Sequence, residues 1–262
     1  MSRLTVNLLR EMKRSGDKIA ALTVYDASFA ERLEHAGVDV LLVGDSLGMV
    51  IQGHEDTLSV TVADMIYHCR CVRRGSRRAL LVVDMPFVSY ATPEQALGNA
   101  ARMLREGGAQ MVKLEGARPD IVEHLTRQGV AVCGHLGLLP QSVHKLGGYR
   151  VQGRDPAAAA MLLSQARALE SAGVDLLVLE CVPRGLAAQV SLALQIPVIG
   201  IGAGPDCDGQ VLVLYDALGI TPGRAPRFAR NFLEAGDIAS ALRDYVQGVK
   251  RGTFPAPDHG FD

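Results

Sequence analysis

Short apolar segments recur along the chain, and stretches with helical spacing lie between most of them. The apolar segments are continuous runs rich in Val, Ile and Leu, without a clean alternation of polar and apolar positions. This pattern is typical of strands that are buried on both faces, as in a parallel sheet. Eight such strands are predicted, over residues 19–25, 38–43, 79–83, 110–114, 130–133, 175–179, 197–201 and 210–215.

Helix boundary signals mark three of the intervening stretches, over residues 28–37, 92–108 and 155–173. Each begins at Ser, Thr or Asp, which cap helix N-termini, and each ends at glycine. Pro93 and Pro156 stand at the first helical position, where proline is tolerated best. Asp26 is a further candidate cap for the helix that follows the first strand. Strands therefore alternate with helices, which indicates repeated βα units.

Eight such units in a chain of this length predict a TIM (β/α)₈ barrel that forms one domain over residues 1–262. A doubly wound open sheet is the alternative, because residues 204–209 are too few for a helix between the last two strands. Leu8, Leu9 and Met12 have helical spacing and predict an additional N-terminal helix. That helix is expected to cover the bottom of the barrel or to pack on a neighbouring subunit. The tail after Gly252 is rich in turn residues and is expected at the surface or disordered.

Composition narrows the classes of function. The chain has 262 residues, 48% of them hydrophobic, with 27 basic and 28 acidic residues. Without a basic excess, neither nucleic acid nor a membrane surface is an expected partner. No apolar run approaches the roughly 20 residues of a membrane span. The five cysteines are odd in number and form no C-x-x-C pair, which favours reduced thiols and a cytoplasmic protein.

Acidic residues end four of the predicted strands, at Asp45, Asp84, Glu115 and Glu180. In a TIM barrel these strand ends share one face, where catalysis takes place. A lone acid at a strand end is usually a helix cap, but four together indicate a site. Buried carboxylates repel one another, and Lys113 supplies one positive charge. The set leaves room for a metal ion, and oxygen ligands without paired His or Cys favour Mg²⁺ over Zn²⁺.

Other candidate residues have two interpretations each. His135 follows the fifth predicted strand at the same rim, where it is either a functional residue or a satisfied core histidine. Ser46 either caps the following turn or donates a hydrogen bond to a substrate carboxylate. The segment GIGAGP, residues 200–205, lacks the third glycine of a dinucleotide-binding loop and is interpreted as a tight turn.

Several longer motifs resemble the ketopantoate hydroxymethyltransferase family in sequence and in order along the chain. They are VYDASFA, VGDSLGMVIQGHEDTLSVT, DMPFVSY, VKLEGA, GHLGLLPQSVHKLGGYRVQGR, ECVP and IGIGAG followed by DGQVLVLYDALG. The resemblance extends from about residue 3 to 250. It implies a TIM barrel related to phosphoenolpyruvate mutase and isocitrate lyase, which agrees with the predicted strands.

The resemblance also implies a role for each matching residue. It places metal ligation on Asp45 and Asp84, with Glu115 as an outer acid, and proton abstraction on Glu180. It places keto-acid binding on Asp45, Ser46, Asp84 and Lys113, with His135 in the pocket. Tyr215-Asp216 departs from the His-Asp that several relatives carry.

The implied reaction is a one-carbon transfer from 5,10-methylenetetrahydrofolate to 3-methyl-2-oxobutanoate, assisted by Mg²⁺, which gives ketopantoate for pantothenate biosynthesis. Relatives form large rings, so the resemblance also implies a homo-oligomer, a homodecamer of five dimers. Two rival functions stay open. One is a Mg²⁺-dependent lyase or mutase that acts on another 2-oxo acid, and the other is a barrel that binds a keto acid without catalysis.

Overall fold

Eight parallel strands close into a barrel in which each strand pairs with its neighbours in chain order, and β1 pairs with β8. The computed structural model describes residues 3–221, 223, 225–234 and 236–262. The strands are β1 Ile19–Thr23, β2 Val40–Val43, β3 Leu80–Asp84, β4 Met111–Glu115, β5 Val132–Gly137, β6 Leu176–Glu180, β7 Val198–Ile201 and β8 Gly209–Leu212. The predicted TIM barrel is confirmed, and the open doubly wound sheet is wrong. The short connection before β8 is compatible with closure.

Helices lie between most of the strands, and Thr92 and Asp155 cap two of them as predicted. They are α1 Val6–Ser15, α2 Ala27–Ala36, α3 Leu47–Val50, α4 Val62–Gly75, α5 Pro93–Arg102, α6 Pro119–Arg127, α7 Val143–Leu146, α8 Pro156–Ser171, α9 Arg184–Ala193, α10 Leu214–Ala217 and α11 Ile238–Lys250. The Asp26 carboxylate accepts from Phe29 N over 2.9 Å, so Asp26 caps α2 and the prediction of Ser28 as its cap is wrong. No helix in the described ranges is both long and apolar enough to cross a membrane.

Strand register decides which side chains become neighbours at the C-terminal rim. Asp84 of β3 pairs with Lys113 of β4, and Glu115 of β4 pairs with His135 of β5. Glu180 is the last residue of β6 and lies beside Gly137 of β5. Three adjacent interstrand pairs thus bring charged residues from distant parts of the sequence to one arc of the barrel.

Helix α1 covers the opposite, N-terminal end of the barrel. Leu9 is buried there, as its apolar spacing predicted. Arg10 pairs with Asp175 over 2.8 Å, and Lys13 pairs with Asp208 over 2.8 Å. Both acids stand just before strands, β6 and β8, so these ion pairs hold α1 beneath the strand beginnings. Of the two positions expected for this helix, the structure shows the one at the bottom of the barrel.

The C-terminal tail is packed against the barrel, and the expectation that it lies on the surface or is disordered is wrong for much of it. Phe254 is buried and contacts the rings of Phe232 and Tyr245 at centroid distances of 5.3 and 5.8 Å. The carbonyl of Phe261 accepts from Arg184 N over 2.9 Å. Burial of aromatic side chains holds this segment on the barrel although its composition is typical of turns. The packed tail brings Phe261 to the C-terminal face of the barrel.

Candidate active site

A cavity of about 720 Å³ opens at the C-terminal face, and all four strand-end acids line it. Asp84, Glu115 and Glu180 are the last residues of β3, β4 and β6, and Asp45 follows β2 by two positions. Ser46, Lys113 and His135 line the same cavity, so the structure brings together every residue predicted for the site. His135 lies inside β5, which runs further than the predicted strand, and does not follow it.

The buried acids Asp45 and Asp84 form the inner end of the cavity together with Lys113. The Lys113 ammonium donates to Asp84 Oδ1 over 2.7 Å, and Asp45 N donates to Asp84 Oδ2 over 3.1 Å. Burial, followed by the charges of Asp84 and Glu115, raises the pKa of the Asp45 carboxyl well above its usual range. Burial alone lowers the pKa of Lys113, but the surrounding acids outweigh it and raise that pKa above its ordinary value.

Gln141, for which no role was predicted, joins three parts of the site. Its side-chain amide donates to Asp45 Oδ2 over 2.8 Å and to the Met85 carbonyl over 2.9 Å. Its backbone N–H donates to Glu115 Oε2 over 3.0 Å. The Tyr90 hydroxyl donates to Gln141 Oε1 over 2.5 Å and accepts from Glu115 N over 3.2 Å. Because Gln141 and Tyr90 are buried, this network fixes the direction of the two carboxylates.

His135 lies between two carboxylates on neighbouring strands. Its Nδ1 is 3.6 Å from Glu115 Oε1, and its Nε2 is 3.3 Å from Glu180 Oε2. These are ion-pair contacts, since neither ring nitrogen has a well-aligned hydrogen bond within the described part of the chain. Burial and Lys113 lower the pKa of His135, but Glu115 and Glu180 outweigh them and raise it to about 9. The imidazole is therefore a cation at neutral pH.

Ser46 contributes its hydroxyl to a polar group at the side of the cavity. Its Oγ is 2.9 Å from the oxygen of the Tyr25 hydroxyl, and that hydroxyl donates to Thr23 Oγ1 over 2.9 Å. Ser46 precedes α3 but makes no capping hydrogen bond, so its interpretation as a cap is wrong. A Cβ on Gly44 would lie 2.8 Å from Ser46 Oγ, which explains why glycine stands there.

The donor chemistry of this site fits a Mg²⁺ ion held by two carboxylates. No group of three or more His, Cys, Asp or Glu side chains in the described ranges is arranged to hold a metal by itself. Both Glu115 oxygens face other partners, Gln141 N and His135. Mg²⁺, however, is commonly bound by one or two carboxylates plus substrate oxygens and waters. Asp45 and Asp84 provide two such carboxylates at the inner end of the cavity, where the Asp84 oxygens also accept from Lys113 and from Asp45 N.

Tyr215 and Asp216 follow β8 and lie in α10. Asp216 lines the cavity and accepts from the Thr221 hydroxyl over 2.6 Å. Tyr215 packs edge-on against Tyr25 with centroids 5.9 Å apart. Tyr215, where the sequence departs from His-Asp, therefore contacts the tyrosine whose hydroxyl is hydrogen-bonded to Ser46.

Sequence reasoning missed Tyr25, Tyr90 and Gln141. Each stands in a motif quoted for the family resemblance, VYDASFA, DMPFVSY and GHLGLLPQ. The spacing of polar and apolar positions does not mark a functional polar residue that lies in a loop. Its presence inside a long family motif is the signal that could have identified it.

Comparison with known proteins agrees with the motifs and with the barrel. Residues 3–257 match the family model for ketopantoate hydroxymethyltransferase. The chain is 63% identical over 258 residues to the 3-methyl-2-oxobutanoate hydroxymethyltransferase of Nitrosococcus oceani, covering 97% of this chain and 98% of that protein. It is 60% identical over 261 residues to the enzyme of the same name from Alkalilimnicola ehrlichii, covering 98% of this chain and 94% of that protein.

Solved structures of more distant proteins share the fold. A 2,3-dimethylmalate lyase of the PEP mutase/isocitrate lyase superfamily has a TM-score of 0.57 at 18% identity, covering 82% of this chain and 81% of its own. A phosphonopyruvate hydrolase solved with oxalate and Mg²⁺ has a TM-score of 0.60 at 13% identity, covering 82% of this chain and 84% of its own. At these identities the likeness establishes the barrel architecture.

Proposed function

The chain belongs to the ketopantoate hydroxymethyltransferase family, and we propose that it transfers a one-carbon unit from 5,10-methylenetetrahydrofolate to 3-methyl-2-oxobutanoate. The products are 2-dehydropantoate and tetrahydrofolate, and water supplies the oxygen of the new hydroxymethyl group. The product serves pantothenate and hence coenzyme A biosynthesis. The assignment is supported by relatives named 3-methyl-2-oxobutanoate hydroxymethyltransferase, to which this chain is similar over nearly its whole length.

The position of Glu180 is the observation that carries the chemical part of the proposal. Glu180 is on β6 and lines the same cavity as Asp45 and Asp84, which are on the β2 and β3 side of the barrel. A keto acid held at Asp45 and Asp84 would therefore present its C3 carbon to Glu180 across the cavity. We assign to this carboxylate the removal of the C3 proton, a step in which a positioned base contributes about 10²–10⁴ in rate.

The remaining residues of the site bind the metal and the substrate and balance their charges. Asp45 and Asp84 would hold Mg²⁺, which when bound supplies Lewis-acid polarisation of the keto oxygen. The ammonium of Lys113, fixed by Asp84, lies where it can stabilise negative charge on the substrate. Ser46, which follows Asp45 and lines the same cavity, supplies a hydroxyl to the substrate carboxylate. The cationic ring of His135 holds Glu180 by its 3.3 Å contact and orients it toward the cavity.

Assembly and compartment follow from the family and from the cysteines. We propose a homodecamer of this single-domain barrel, because the resemblance implies one. A cytoplasmic location is supported by the five cysteines, all of which are free. The proposed reaction depends neither on the oligomeric state nor on the compartment.

Exchange of the C3 proton tests the proposed reaction most directly. The protein is incubated with 3-methyl-2-oxobutanoate and Mg²⁺ in deuterated water, and exchange is followed by proton NMR. Adding 5,10-methylenetetrahydrofolate should then convert the keto acid to 2-dehydropantoate. Exchange without product in the presence of the folate would favour a lyase or mutase of the same barrel, and binding without exchange would favour a non-catalytic binder.

A further inference from the structure

The cavity is much larger than the keto acid requires. Its volume is about 720 Å³, within the range of roughly 300–1,000 Å³ that is typical of pockets for drug-sized ligands. The small 2-oxo acid needs only the inner end, where Asp45, Asp84 and Lys113 lie. The one-carbon donor must place its methylene carbon next to C3, so it has to enter the same cavity. The outer part is therefore the space open to it.

Aromatic side chains stand on two sides of this outer part. On one side Tyr149, 55% exposed, places its hydroxyl 3.8 Å from the sulfur of Met49. On the other side Phe228 and Phe261 both pack against Gly202, at the end of β7, where a Cβ would lie 2.8 Å and 3.1 Å from their rings. All three rings line the cavity. They provide flat apolar surfaces at the entrance, and Phe261 is brought there by the packed C-terminal tail.

Positive charge accompanies these rings. Arg150 follows Tyr149 directly, Arg227 precedes Phe228, and both arginines are exposed and line the cavity. The Arg227 guanidinium lies 5.6 Å from the centroid of the Phe261 ring. Among the described lining residues, the acids lie on or shortly after the strand ends, and Asp262, which follows Phe261, is paired with Arg184 over 2.7 Å. The entrance is therefore aromatic and cationic, whereas the inner end is acidic.

We propose that the entrance residues Tyr149, Arg150, Arg227, Phe228 and Phe261 form the binding subsite for the folate cosubstrate. The flat pteridine and aminobenzoyl rings would pack against the aromatic side chains, and the glutamate carboxylates would face the two arginines. This polarity directs the methylene group inward, to the C3 carbon near Glu180, and leaves the anionic end at the entrance. The proposal rests on the proposed function, because it takes the one-carbon donor from that reaction.

Steady-state kinetics with both substrates test the subsite. Tyr149→Ala and Phe261→Ala should each raise KM for 5,10-methylenetetrahydrofolate about three- to tenfold, because each removes one aromatic contact. The double variant Arg150→Ala/Arg227→Ala should raise it by about threefold or more, because exposed charge pairs contribute little individually. KM for 3-methyl-2-oxobutanoate should change much less. Tyr67→Ala and Arg127→Ala, at exposed positions on α4 and α6, are the matched controls.

A shortened cosubstrate identifies the contact made by the arginines. 5,10-Methylenetetrahydropteroate lacks the glutamate. With the unmodified protein, its KM should exceed that of the complete folate. The factor should be about the same as the one by which the arginine substitutions raise KM for the complete folate. In the double arginine variant the two cosubstrates should have equal KM values. A difference between them that survives in this variant would overturn the assignment of the arginines.

Two further outcomes separate this inference from the proposed function. If folate KM stays within twofold of the unmodified value in all these variants, or if both substrate KM values rise by the same factor, the subsite is elsewhere. If the unmodified protein makes no 2-dehydropantoate, the proposed function fails. Calorimetry with tetrahydrofolate then still decides on the subsite, since weaker binding in the variants supports it and unchanged binding overturns it.

Discussion

The side-chain amide of Gln141 donates to the Asp45 carboxylate over 2.8 Å, although the two residues are 96 positions apart in the chain. The same residue contacts Glu115 through its backbone N–H, so one side chain and one peptide group orient two acids of the site. Gln141 therefore acts as a positioning residue, held in turn by the Tyr90 hydroxyl. Groups that orient metal-binding carboxylates typically contribute about 10–100-fold to metal affinity or activity.

Gln141→Ala is expected to weaken Mg²⁺-dependent binding of 3-methyl-2-oxobutanoate by about 10–100-fold. The substitution leaves Asp45 Oδ2 and the Tyr90 hydroxyl without their partners and releases the carboxylate from its orientation. Calorimetric titration of the keto acid, with and without Mg²⁺, measures the effect. Gln128→Ala, at an exposed position after α6, is the control. Binding equal to that of the control would show that Asp45 is oriented without Gln141.

The contrast between Asp84 and Gln141 shows how far the sequence predicts this site. Asp84 ends an apolar strand, and the closure of a parallel barrel brings all such strand ends to one face, so its position follows from periodicity. Gln141 lies in the turn after β5, in a 3₁₀ segment Pro140–Ser142. Its place depends on how that turn folds back over β2 and β4, which local spacing does not encode.

The C-terminal tail was misjudged for a related reason. Its proline and glycine residues indicate turns, and turns are compatible with both a free tail and a packed one. Phe254 decides between them, because burying an aromatic ring against Phe232 and Tyr245 contributes roughly 2–3 kcal/mol. That contact requires α11 and the segment before it to be in place, so it is a property of the complete fold.

Metal dependence is the next expectation, and it follows from the acids at the inner end. Removal of divalent metal by a chelator should abolish turnover, and Mg²⁺ should restore it. Asp84→Asn should weaken both keto-acid binding and turnover, because it removes a proposed metal ligand and the ion-pair partner of Lys113. Asp244→Asn, on the exposed face of α11, is the matched control. Full activity of protein shown to be free of divalent metal would contradict this prediction.

The exposed apolar residues of α8 and α9 bear on assembly. Leu192 is 86% exposed and Met161 is 61% exposed, on the outer layer of the barrel. We expect light scattering to give a mass well above the 27.9 kDa of one chain, close to ten times that value for a homodecamer. Leu192→Glu tests whether this face is part of the interface. A single species with the mass of one chain at working concentration would exclude the homo-oligomer.

The two carboxylates around His135 make stability depend on pH. The pKa of His135 is about 9 in the folded chain, above the ordinary value of 6.5. A raised pKa contributes stability that is present below pH 6.5 and is lost as the pH rises through 9. Without metal, the unmodified protein should therefore have a higher free energy of unfolding than the His135→Asn variant. This difference should be largest near pH 6 and should disappear by about pH 9.5. Denaturant unfolding across this range measures the difference, and a constant difference would refute the prediction.

The last prediction separates the proposed base from the proposed metal ligands. Glu180 is on β6, several strands around the barrel from Asp45 and Asp84, and its Oε2 contacts His135 over 3.3 Å. Glu180→Gln keeps the shape of the side chain and removes its ability to accept a proton. The variant should therefore bind 3-methyl-2-oxobutanoate with Mg²⁺ about as well as the unmodified protein. Its C3 deuterium exchange should fall by about 10²–10⁴.

Calorimetric binding and NMR-monitored exchange on the same preparation measure the two properties of this variant. Glu123→Gln, an exposed glutamate of α6, is the control for the substitution itself. Loss of binding with normal exchange per bound substrate would make Glu180 a ligand of the substrate or the metal. In that case His135 becomes the next candidate for the base, although its raised pKa keeps it protonated at neutral pH and makes it a poor proton acceptor there. Retained binding with lost exchange, together with a normal Glu123→Gln variant, is the result that the geometry predicts.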